Sequence, residues 1–170
     1  MLIYLDANIV QYCADESQFI FGETDRSSTT DPKLHKELVA LRRLVELEQL
    51  GDWEFAAPRH LLDELNAGTP TESQRETYQV LHEAWRDTVW VGDDSPTEER
   101  VEGVEESLSP IGLKHGADRR HLAEALTLAA SWFLTNDGEV LRKTKGLLRG
   151  MRVCLPSESV EEISTGLFLK

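Results

Sequence analysis

Short apolar runs alternate along this chain with longer stretches in which apolar residues recur every three or four positions. Five runs read as strands: residues 2–6 (LIYLD), 53–57 (WEFAA), 88–92 (TVWVG), 132–135 (WFLT) and 151–155 (MRVCL). The stretches between them carry helix start signals. Asp31-Pro32 sets a cap and a first-turn proline ahead of a stripe formed by Leu34, Leu38, Leu41, Leu44, Val45 and Leu47, which Gly51 ends. Thr71 caps residues 72–85, with Tyr78, Leu81 and Trp85 facing inward, and Ser95-Pro96 opens an acidic helix with a Val101, Val104, Leu108 seam. Further helices are predicted over 118–130 and 138–148, with a short last one from Pro156-Ser157. This alternation predicts an α/β fold: a three-layer α/β/α sandwich with a mostly parallel central sheet of about five strands, in one domain over residues 1–170.

Ligands of such sheets bind beyond the carboxyl ends of the strands, so the polar residues there carry the chemistry. Asp6 directly follows four apolar strand residues, and Asp137 follows the fourth strand in FLTND. Glu64 lies in LLDEL on a short helix after the second strand. Asp118 opens an alanine-rich helix, whose Ala123, Ala125, Ala129 and Ala130 let it lie close to the sheet. Four carboxylates gathered at one edge repel one another unless cations neutralise them, and an all-oxygen donor set suits a hard divalent ion, Mg²⁺ or Mn²⁺. Each acid also has a plainer reading. Asp118 and Asp137 serve equally as helix caps, and Glu64, with Asp63 beside it, as a solvated helix residue. His60, His115 and His121 read as surface or helix residues, because an oxygen-only site does not need them; His35 and His82 sit within amphipathic helices.

Charge changes the picture when divided along the chain. The 18 Lys and Arg against 31 Asp and Glu, a balance of −13, argue against a general nucleic-acid binder. Residues 114–152 run the other way, with eight basic side chains against four acids. They read either as solvated helix faces or as a local patch for a phosphate backbone, with Arg119 and Arg120 as the first substrate contacts. Cys13 and Cys154 sit in apolar segments, as core thiols of a reducing compartment do. With no basic leader and no apolar stretch near the roughly 18 residues that cross a bilayer, the expectation is a cytoplasmic protein. Neither G-x-G-x-x-G nor GxxxxGK[ST] occurs.

LDAN at 5–8, LLDEL at 61–65, GADRRHLAEA at 116–125 and FLTND at 133–137 resemble, in that order, the acidic motifs of PIN-domain ribonucleases, and RVCLPSESV near the end is similar to their last strand and helix opening. The small single-domain members of this family include VapC-type toxins of toxin–antitoxin pairs. The resemblance implies that Asp6, Glu64, Asp118 and Asp137 bind Mg²⁺ or Mn²⁺ in an endoribonuclease site, with Asn8 and Thr135 as accessory hydrogen-bonding residues. It further implies an RNA substrate, a cognate antitoxin and a homodimer, and leaves residues 15–50 and 95–109 as helical insertions. The alternative is a PIN-like module that binds RNA or protein without cleaving.

Overall fold

The computed structural model describes residues 1–48, 53–57, 59–86 and 97–168. The expected strand 88–92, the Gly51 stop, the Ser95-Pro96 opening and the side chains of His60, His82 and Trp85 lie outside them. In order, the chain forms β1 (Leu2–Leu5), α1 (Ala7–Asp15), α2 (Ser17–Ile20), α3 (Pro32–Glu48), β2 (Glu54–Ala56), α4 (Arg59–Ala67), α5 (Glu72–Arg86) and α6 (Glu98–Ser107). A 3₁₀ turn (Ser109–Ile111) leads to α7 (Gly116–Thr127), β3 (Trp132–Leu134), α8 (Gly138–Thr144), β4 (Arg152–Cys154) and α9 (Pro156–Phe168).

Four described strands form one sheet in the order β2-β1-β3-β4, all parallel, with helices packed around it. β1 is central, and Ile3, Tyr4 and Leu5 are fully buried, which is why this run is apolar on both faces. The chain leaves β1 for β2 on one side and returns as β3 on the other. The crevice beyond the ends of β1 and β3 is therefore the topological switch point of the sheet, where loops diverge and leave room for a ligand. Tyr4 and Phe133 stack across that pair with ring centroids 5.2 Å apart.

Several helix ends are built as their residues predict. Asp31 accepts from the Lys33 N–H, and Thr71 and Gln74 form a reciprocal capping box at 3.2 and 2.7 Å. The described cap of α6 is Thr97, whose hydroxyl accepts from Arg100. Leu38, Leu41, Leu44 and Leu47 put α3 into the single core cluster, so this helix of the 15–50 segment is a structural member of the domain. The last helix is longer than expected because it is anchored from a distance. The Glu37 carboxylate of α3 accepts from both the N–H and the hydroxyl of Ser157, each at 2.8 Å, satisfying the open first turn of α9. α7 runs Gly116–Thr127 rather than 118–130, and α8 ends at Thr144 rather than Leu148. No helix among the described residues is long and apolar enough to cross a membrane.

Candidate functional site

Asp6 is 4% exposed at the end of β1, where it also caps α1. Its Oδ1 accepts from the Ala7 N–H at 2.9 Å and faces His121 Nδ1 at 3.0 Å; its Oδ2 accepts from Asn8 Nδ2 and Thr135 Oγ1, both at 2.6 Å. Four donors occupy the roughly four lone-pair positions of a carboxylate. Burial of the charge is tolerated because every oxygen is satisfied.

Asn8 and Thr135 tie this network to β3. The Asn8 amide donates to Thr135 Oγ1 at 3.1 Å, and its carbonyl accepts from the Asn136 N–H at 3.0 Å. Thr135, fully buried, donates to Asp6 and accepts from the Asp137 N–H at 2.9 Å. Asp137 then caps α8, with Oδ1 accepting from Glu139 and Val140 at 2.7 and 2.8 Å. Of the two readings of Asp137, the helix cap is what its bonds form, at the edge beyond the strand.

Asp118 lies in the first turn of α7 without capping it. Its pKa is raised by burial and by the neighbouring charges of Asp6 and Asp137, so three carboxylates from separate stretches share one electrostatic site. Among the described residues its carboxylate accepts no hydrogen bond.

Glu64 reaches the cluster through another residue. His121, one helical turn after Asp118 on the same face of α7, is 2% exposed and places its Nε2 2.8 Å from Glu64 Oε2. Burial opposes charge on this ring, but its bonds to Asp6 and Glu64 prevail and lift its pKa from the ordinary 6.5 to about 9. His121 is the residue that reading the sequence passed over. Its i, i+3 spacing from Asp118 was the available signal, outweighed there by the expectation of an oxygen-only site. The neighbouring acid Asp63 is exposed, and the contact belongs to Glu64.

Next to the site, the buried Tyr4 hydroxyl donates to Glu124 Oε2 at 3.1 Å; burial, then Glu124, push its pKa well above 10. Arg119 and Arg120 are engaged by acids. Arg119 lies 3.7 Å from Glu105, while Arg120 meets Glu98 at 2.6 Å, Glu124 at 3.4 Å and Glu105 at 3.7 Å, joining α6 to α7. No carboxylate among the described residues pairs with Arg142, Lys145 or Arg149, which are exposed around and beyond the end of α8.

The donors suit a hard divalent cation, but their placement does not form its site. Two oxygens bound to one Mg²⁺ at about 2.1 Å stand at most about 4.2 Å apart. Asp6 and Glu64 are held further apart by the imidazole between them, at hydrogen-bond distance on each side. Among the described residues, no three of His, Cys, Asp or Glu are placed to hold a metal ion. No protein family, curated protein or solved structure matches the chain, so its chemistry has to be read from this geometry.

Proposed function

We propose that this chain is a ribonuclease of PIN type, hydrolysing RNA phosphodiester bonds where β1 and β3 end. The observation that carries the reading is convergence. Asp6, Asn8, Thr135 and Asp137 belong to one hydrogen-bonded network at the switch point, and Asp118 feels the charges of Asp6 and Asp137. These residues come from three separate stretches: Asp6, Asp118 and Asp137 are nominated by their places at the sheet edge, and Asn8 and Thr135 by the resemblance.

In this reading Asp6 is the structural centre, since its lone pairs are occupied. Asp118 is the carboxylate free to take a proton from the attacking water, and its raised pKa makes it a stronger base than an ordinary aspartate. A hard divalent ion, Mg²⁺ or Mn²⁺, belongs to the reading and requires the acids to regroup around it. The substrate backbone is best met by the unpaired cations. Arg142 and Lys145 line an open groove of about 1000 Å³ that begins at Gly138, the residue after Asp137; Arg152, on the same groove, already pairs with Glu162. Arg119 and Arg120 already answer acids of α6 and α7. A VapC-like toxin role in the cytoplasm, with an antitoxin and a homodimer, forms the outer part of the same proposal.

The test is incubation of labelled single-stranded and structured RNA with wild type and Asp118→Asn, in Mn²⁺, Mg²⁺ or EDTA. Cleavage that needs the metal and falls at least a hundredfold in the variant is expected. Undiminished cleavage in EDTA, or by Asp118→Asn, would sink the reading. A second reading, a PIN-like module that binds without cleaving, is favoured by the ring of His121 between two of the acids; RNA retained but uncut in every metal would establish it.

A further inference from the structure

We propose that the cavity between α1, α4 and α5 is a nucleobase pocket, in which Gln11, Thr69 and Tyr78 read one base of a single-stranded RNA beside the bond that is cut. The inference rests on the ribonuclease reading for the RNA, and on the cavity for the base.

The cavity holds about 350 Å³, at the small end of the range for ligand pockets. It adjoins the acidic site on two sides. Ala7, the residue after Asp6, lines one wall, and Glu64 lines another. The elements that build the site also fix the cavity: Asp6 caps α1, which carries Gln11 one turn beyond Ala7, and α4 carries both Glu64 and Leu65. A base seated here stands directly beside the carboxylates.

The lining selects a neutral ligand. Among the described residues that form it, Glu64 is the one charged side chain and no Lys or Arg takes part, so a phosphate is repelled. The backbone is left to Arg142 and Lys145, which flank the site from the side of Asp137. Leu65 and Pro70 offer apolar surface to the faces of a planar ring.

Three polar side chains remain to meet the edge of that ring. Tyr78 is 2% exposed and lines the cavity, yet its hydroxyl makes no hydrogen bond among the described residues. A buried tyrosine hydroxyl ordinarily has a partner, and here the ligand supplies it. Burial, then the charge of Asp15, raise its pKa, so the group keeps its proton and can donate. The Gln11 amide and the Thr69 hydroxyl are likewise uncommitted among the described residues. Gln74 differs, because its amide already donates to Asp15 at 2.6 Å and accepts from the Thr71 N–H at 2.7 Å. A carboxamide sets a donor beside an acceptor, the pattern that pairs with a base edge, and RNA exposes such edges where its bases are unpaired.

Nucleosides test the pocket without phosphate and without metal. Adenosine, cytidine, guanosine and uridine are titrated separately, in EDTA, into the wild-type protein and followed by backbone amide NMR. At millimolar concentration one of the four is expected to shift the amides of Gln11, Thr69 and Tyr78. It should bind Gln11→Ala and Tyr78→Phe at least about fivefold more weakly, the loss of one hydrogen bond. No shift with any nucleoside, equal binding by a folded variant, or the same shifts with inorganic phosphate overturns the proposal. Gln11 is exposed, so Gln11→Ala answers if Tyr78→Phe fails to fold. Cleavage of a random single-stranded RNA pool in Mn²⁺ separates the two readings. Cutting with one base preference in wild type and in both variants keeps the ribonuclease and removes the pocket. A bound nucleoside with uncut RNA does the reverse.

Discussion

Asp6 Oδ1 and His121 Nδ1 stand 3.0 Å apart although 115 positions separate them in the chain. One ends the central strand and the other lies on α7, so the contact joins a sheet end to a helix across a buried ion pair. Breaking one partner of such a pair costs about 3–5 kcal/mol, because the remaining charge is left without its counterion.

That pair makes stability depend on pH in metal-free solution. His121 titrates near 6.5 when unfolded and at about 9 when folded, so folding favours its protonated form. The stability it contributes is complete below pH 6.5 and is lost as pH rises through 9. Urea midpoints in EDTA should show wild type exceeding His121→Gln most at pH 6, with the gap closing by pH 10. A gap that is constant over this range would remove the ion pair.

The two aspartates of the cluster should respond oppositely to amide substitution. Asp6→Asn puts an NH₂ group among four donors and should cost about 2–4 kcal/mol by urea unfolding. Asp118→Asn removes a charge that burial and two like charges disfavour, and breaks no hydrogen bond among the described residues. Its melting temperature at pH 7 should equal or exceed that of the wild type.

The end of α7 offers a stabilising change away from the site. Ala129 has φ 54, and the N–H groups of Ala129 and Ala130 bond to the carbonyls of Leu126 and Ala125 in a Schellman arrangement. An alanine pays for that left-handed conformation where glycine does not. Ala129→Gly should therefore stabilise by up to about 1 kcal/mol in urea titrations, with RNA cleavage unchanged.

Both cysteines should be inert in the native protein. Cys13 and Cys154 are free and buried, and burial is the first cause that pushes each thiol up to about 12, so thiolate is scarce at neutral pH. Reaction with an aromatic disulfide reagent at pH 8 should wait for unfolding, and both thiols should then react together. Rapid labelling of the folded chain would show that these segments open locally.

Much of the fold was legible because its signals are local. The apolar run of β1, the Asp31-Pro32 opening of α3 and the Thr71 capping box depend on residues within a turn of each other, and their elements formed where expected. The positions of Asp6 and Asp137 were legible for a related reason: a carboxylate just after a buried strand stands at the strand's end. The length of α9 was not legible, since its anchor, Glu37, lies on another helix.

The sequence by itself determined which residues end the central strands, and therefore that Asp6, Asn8, Thr135 and Asp137 share one edge of a parallel sheet, because strand and cap preferences are set by near neighbours. Only the tertiary structure decided the company they keep. Arg119 and Arg120 turn to the acids of α6, and the ring of His121 enters the cluster between Asp6 and Glu64. The physical reason is that charge pairing depends on distance through space, and the packing of α7 against the ends of the strands brings opposite charges together whatever their separation along the chain.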